Sequence, residues 1–140
     1  MSSSTPHEST DERSPDSPPA GLGALERDVM DVVWNAGEAT VREVLGTLNA
    51  ASDRERAYTT VMTVMGNLRR KGLLSGRREG RTDVYSPTLS REAYTDARAR
   101  FDVETLVSQY GEVALAHFAR EVAGLDENRR RRLRKLVDDA

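Results

Sequence analysis

Cysteine is absent from all 140 residues, so neither a disulfide framework nor a thiolate metal site can form. Histidine occurs twice: His7 lies in a polar N-terminal stretch and His117 stands alone on a helical segment. No nucleophile–base pair and no His/Cys metal cluster can be assembled from these. A phosphate-cradling loop is missing too, because Gly21-Leu22-Gly23 precedes a helical pattern with no strand before it. The expectation is a protein that is not an enzyme, with no catalytic residue, no cofactor and no metal. Aromatic residues are 5% of the chain against 31% charged, which leaves a modest core for one domain or two small ones. No apolar run approaches the roughly 18 residues needed to span a bilayer, and the first residues lack a signal peptide's basic-then-apolar layout. A cytoplasmic protein with no direct membrane insertion is expected.

The formal net charge of −2 conceals an uneven distribution. Residues 1–20 carry Glu8, Asp11, Glu12 and Asp16 against Arg13, with four of the five prolines and no Leu, Ile, Val or Phe. Such a segment cannot bury enough apolar surface to offset its ordering entropy, so residues 1–20 read as a disordered tail. Residues 54–81 carry eight basic side chains against Glu55 and Glu79, a local net of +6. A local patch governs phosphate binding more than the total charge does.

From Gly21 the pattern turns helical. Leu22, Leu25, Val29, Val32 and Val33 form the stripe of an amphipathic helix that Gly37 ends. Thr40 with Glu43 three positions on is a capping box, opening a second helix whose buried face is Val41, Val44, Leu45 and Leu48. The polar link ASDRER leads into AYTTVMTVMGNLRRKG, the third helix, stopped at Gly72. Here Val61, Val64, Met65 and Leu68 share one face, while Thr59, Thr60, Thr63, Asn67 and Arg70 fall opposite. Next, the short runs Leu73–Ser75 and Val84–Ser86 flank a turn built on Gly76, Gly80 and Asp83, a β-hairpin with an arginine-rich tip. Three short helices and a basic hairpin are the order of a winged helix-turn-helix domain.

Threonine is a mediocre helix former, so three on an outward face ask for a reason beyond helix stability. One reading is a solvated face. The other is a recognition helix in the DNA major groove, where short side chains allow close approach to base edges and Asn67 can pair with adenine. Arg69 and Lys71 at the helix end, with Arg77, Arg78 and Arg81 of the hairpin, would then meet phosphates. The helix order and the basic patch favour the second reading.

After Ser90 three more helical segments follow, carrying Phe101, Leu106, Val107 and Tyr110, then Leu115, Phe118 and Val122, then Leu133 and Leu136. So few apolar positions on short helices rarely make an independent core, and burial against a second copy predicts a homodimer. The run RRRRLRK at residues 129–135 sits among Asp126, Glu127, Asp138 and Asp139, as on a solvated helix face.

These segments, LERDVMDVVWNAGEATVREVLGTL, AYTTVMTVMGNLRRKGLL and REGRTDVYSP, resemble the penicillinase-repressor family of BlaI/MecI-like proteins. Val29, Met30 and Trp34 match its first helix, Thr60, Val61, Thr63, Leu68, Lys71 and Gly72 its third, and Gly80, Arg81, Tyr85 and Pro87 its wing. The resemblance implies a dimeric transcriptional repressor on inverted-repeat operators, a regulator of antibiotic resistance. It also implies a membrane-anchored β-lactam sensor protease as partner, cutting before a Phe in the dimer region, at His117-Phe118 here. Staphylococcal-type members carry Asn where this chain has His117, which also reads as a plain helix residue. Ala57-Tyr58 replaces the polar or proline-containing start often seen in the third helix.

The expected architecture is mainly α: a winged helix-turn-helix DNA-binding domain over 21–88, followed by a small helical dimerisation region over 89–140. Two alternatives stay open, a repressor relieved by a small ligand and a winged-helix module used only for protein–protein contact.

Overall fold

The structure, a computed structural model, describes residues 17–140. The expected disordered tail lies, as far as residue 16, outside the described residues. Its last residues are not free: Pro19 is buried, and the carbonyls of Pro19 and Ala20 accept hydrogen bonds from Arg98 (3.0 Å) and the Tyr94 hydroxyl (2.8 Å).

The described elements are α1 (Ala24–Ala36), α2 (Val41–Ala50), α3 (Tyr58–Arg70), β1 (Leu74–Glu79), β2 (Thr82–Pro87), α4 (Arg91–Tyr110), α5 (Glu112–Ala123) and α6 (Glu127–Asp138). Three helices and a hairpin, in this order, make a winged helix. The chain forms two compact units, one reaching Ala99 and one from Arg100 to Ala140.

In the first unit the stripes read from the sequence meet. Val29, Met30 and Val33 of α1, Val44 of α2, and Val61, Met65 and Leu68 of α3 are almost wholly buried in one core, with Leu73 and Leu74 below them. Thr40 caps α2 as its capping box demands: the Glu43 N–H donates to Thr40 Oγ1 (3.1 Å) and the Thr40 N–H to Glu43 Oε1 (2.9 Å). Between α2 and α3, Asn49 clamps the backbone of Arg56 from both sides, accepting from its N–H at 2.8 Å and donating to its carbonyl at 3.2 Å. That clamp sets where α3 begins.

The hairpin differs from its sequence reading. Both strands are longer, Gly76 and Asp83 are paired strand residues, and the turn is Gly80-Arg81 alone. Gly80 has φ +65°, as the first position of a tight II′-type turn requires. Gly76 is explained by its neighbours: a Cβ there would lie 3.0 Å from Arg69 Nη1 and 3.5 Å from the Tyr85 ring. A backbone bridge between Ala39 and Tyr85, with two bonds of 2.9 Å, ties β2 to the α1–α2 link.

The first unit also runs past the expected boundary at residue 88. Tyr94 of α4 is buried against Trp34, ring centroids 5.5 Å apart, and the Trp34 indole N–H donates to the Leu89 carbonyl at 2.9 Å. Arg91 stacks over the same indole at 5.4 Å.

The second unit is built differently. Asp126 caps α6, accepting from the Arg129 N–H at 2.8 Å, and Arg130 donates to the carbonyls of Ala123, the last residue of α5, and of Leu125 just after it. Ala114 is its only buried hydrophobic residue. Among the described residues no helix is long and apolar enough to cross a membrane.

Candidate nucleic-acid interface

The buried row Val61, Met65 and Leu68 fixes how α3 is rotated, and so which residues it presents. At about 100° per residue, the outward face centres on Thr59, Thr63, Gly66 and Arg70. Thr60, Asn67 and Lys71 lie on one flank of that face, and Tyr58, Met62 and Arg69 on the other. All three threonines are exposed and Asn67 is half-buried. Arg70 donates to the Asn67 side-chain oxygen, so these two polar side chains hold each other in place.

Gly66 is the anomaly on this face. Mid-helix glycine costs about 1 kcal/mol relative to alanine, yet a Cβ at Gly66 would meet nothing within 4 Å. Among the described residues, nothing requires that a Cβ be missing there.

The basic residues expected at phosphates divide into two kinds. Lys71 is tied to Glu26 of α1 at 2.6 Å, and Glu26 also accepts from the Gly23 N–H at 2.9 Å. Partial burial works against the Glu26 carboxylate, but these two donors outweigh it and hold its pKa below the usual value. Arg77 is bracketed by Glu38 (2.9 Å) and Glu79 (2.7 Å), which raises its own pKa and lowers that of Glu38. Arg78 pairs with Asp83 at 3.0 Å. Arg69 and Arg81 make no ion pair among the described residues; Arg69 lies against Gly76 of the wing, and Arg81 stands at the turn.

Between α2, the start of α3 and the hairpin runs a groove of about 390 Å³, lined by Thr40, Arg42, Tyr58, Met62, Arg78 and Arg81 among others. Arg42, Tyr58 and Met62 go beyond the sequence expectation. Arg42 reaches over the Tyr58 ring at 5.5 Å, and Tyr58 and Met62 are 41% and 45% exposed. Helical spacing alone could have flagged Met62, which sits beside Thr59. Arg42 comes from a different helix and has no local signal. A narrow helix face of short polar groups, flanked by guanidinium-rich walls, can approach base edges while its flanks hold phosphates.

The second unit holds the remaining candidates. Phe101, Leu106, Tyr110, Leu115, Phe118, Val122 and Leu136 are each at least 37% exposed, and Val107 and Leu133 are half-buried. His117 and Phe118 stand exposed on α5. With Leu106, Tyr110, Val113 and Ala114 they line an apolar hollow of about 280 Å³.

Residues 22–139 match the penicillinase repressor family. A transcriptional regulator BlaI of Mycobacterium tuberculosis is 40% identical over 109 residues, covering 76% of this chain and 76% of its own. A solution structure of Bacillus licheniformis BlaI, in its monomeric form with the blaP half-operator, shares 29% identity over 54% of this chain and 90% of that one, with a TM-score of 0.46. A solved hsRosR complex is 19% identical over 84% of this chain and 90% of that one, with a TM-score of 0.50, a likeness of fold alone.

The Glu26 carboxylate yields a pH prediction. Its lowered pKa stabilises the fold above the ordinary carboxylate range, and this contribution is lost as pH falls through the folded-state value. Glu26→Gln keeps the acceptor for Gly23 and removes only the charge. Urea unfolding should show the variant less stable at pH 7 by roughly 0.5 kcal/mol. The gap should narrow as pH falls below the ordinary carboxylate range and through the lowered folded-state value; a gap independent of pH would mean the charge contributes nothing.

Proposed function

Because the chain is a winged-helix member of the penicillinase repressor family of transcriptional repressors, we propose that it acts as a homodimer whose α3 helices read double-stranded operator DNA. Thr59, Thr60, Thr63, Asn67 and Arg70 contact base edges, and Arg69, Lys71, Arg77, Arg78 and Arg81 contact phosphates. The observation that carries this reading is the outward face of α3: short hydroxyls and an unexplained glycine, with guanidinium groups along its wing side. Lys71, Arg77 and Arg78 reach DNA by exchanging carboxylate partners for phosphates.

Fluorescence anisotropy on the chain's own upstream DNA against a scrambled duplex, across a salt series, tests this. Preference for the native duplex should be ~10³-fold or more and persist as salt rises. Thr63→Ala should relax the preference. Arg78→Ala should weaken both duplexes alike and reduce the salt slope by about one. Equal affinity for both duplexes, falling steeply with salt, would reduce binding to counterion release and return the protein–protein module as the better reading.

Dimerisation is supported by the apolar exposure of residues 100–140, which lack a core of their own. Sedimentation equilibrium should find a dimer, and Leu115→Asp a monomer. The variant should still bind a half-site but lose the tighter binding of a full inverted repeat, because the second contact is no longer tethered to the first. A monomeric wild type would end this part of the reading.

Relief by proteolysis at His117-Phe118, through a membrane sensor protease, is the matching switch. A protease needs an extended substrate, and α5 buries only Ala114, so opening it locally costs little. During β-lactam induction, blots of cell extracts should show a fragment ending at His117. Intact chain in derepressed cells would favour the second reading, a small apolar ligand in the 280 Å³ hollow.

A further inference from the structure

We propose that Met62 is an operator-specificity residue whose thioether receives the 5-methyl group of a thymine. The inference rests on the DNA reading above and adds an apolar reader to a face so far described by its polar ones.

Met62 lies outside the core. The core row of α3 is complete without it, since Val61, Met65 and Leu68 are wholly buried while Met62 remains 45% exposed. In an exposed helical position Lys, Gln or Ala would serve the helix as well without leaving apolar surface in water. Its groove is lined by Arg42, Arg78 and Arg81 against a single carboxylate, Asp83, which pairs with Arg78, a net positive setting better suited to a polyanion than to an apolar protein partner. An apolar spot in such a setting fits a methyl group carried on a polyanion, and thymine presents such a methyl in the major groove.

The row along α3 supports this placement. Tyr58, Met62 and Gly66 follow one another at four-residue spacing, so they lie along one ridge of the helix. The ridge steps from a ring packed under Arg42, to a flexible thioether, to no side chain at all. Open space at Gly66 leaves room beside the thioether for the flat edge of a base. Methionine's unbranched, polarizable chain adapts to a contact it meets only when bound.

The test is deoxyuridine scanning of the preferred duplex, each thymine replaced singly so that only its methyl is removed. Wild-type chain should lose about fourfold in affinity at one or two positions, the worth of one buried carbon group. Met62→Ala should bind the unmodified duplex about fourfold more weakly and be indifferent to uracil at those positions. Thr63→Ala should remain sensitive there. Uracil tolerated everywhere by the wild type would overturn the proposal. So would sensitivity that survives in Met62→Ala, which would move the methyl contact to another residue. If no duplex is preferred over a scrambled one, the DNA reading fails first and takes this inference with it.

Discussion

The rotation of α3 is the constraint on which the rest depends. Three side chains, Val61, Met65 and Leu68, have essentially no exposed surface, and helical geometry then fixes every other residue of the segment. A change of register by one residue would turn the outward face by about 100° and bury hydroxyls. The core thus acts as a bearing: it holds Thr59, Thr63 and Gly66 outward without touching them. The Asn49 clamp on Arg56 and the Ala39–Tyr85 bridge serve the same end, setting where α3 starts and where the wing stands beside it.

The two units use apolar residues in opposite ways. In the first, nearly all large aliphatic side chains converge inward, and Trp34 and Tyr94 carry the core into the first turns of α4. In the second, the apolar positions of α4, α5 and α6 stay largely exposed. The contrast fits the proposed division between a rigid reader and a dimer region whose coupling is released.

Much of the first unit was legible in the sequence because its signals are local. Apolar spacing located three helices, Thr40 with Glu43 announced a cap, and the threonines opposite the core row marked the outward face. The hairpin's register was less legible: Gly76 looks like a turn residue, and only the Arg69 side chain arriving over it shows why a strand carries glycine there. Ion pairs between distant segments were not legible at all. Lys71 meets Glu26 and Arg77 meets Glu38, partners brought together by folding and not by spacing. Met62 escaped notice for a different reason, since an apolar residue in a helix is ordinarily assigned to the core.

The carboxylates around the wing change how that element looks from a distance. Arg77 is paired with Glu38 and Glu79, and Arg78 with Asp83, so with Arg81 of the turn, unpaired among the described residues, the wing region holds three positive charges and three negative ones. Such an array has no net monopole, and its field dies away faster than that of a bare charge, well within the ~8–10 Å over which salt already screens. On the DNA reading proposed above, the cations without a carboxylate partner among the described residues, such as Arg69 and Arg70 of α3 and Arg42 of α2, act at range, and the paired arginines of the hairpin act on contact. Attraction at range and grip at close quarters reside in different elements of one small domain.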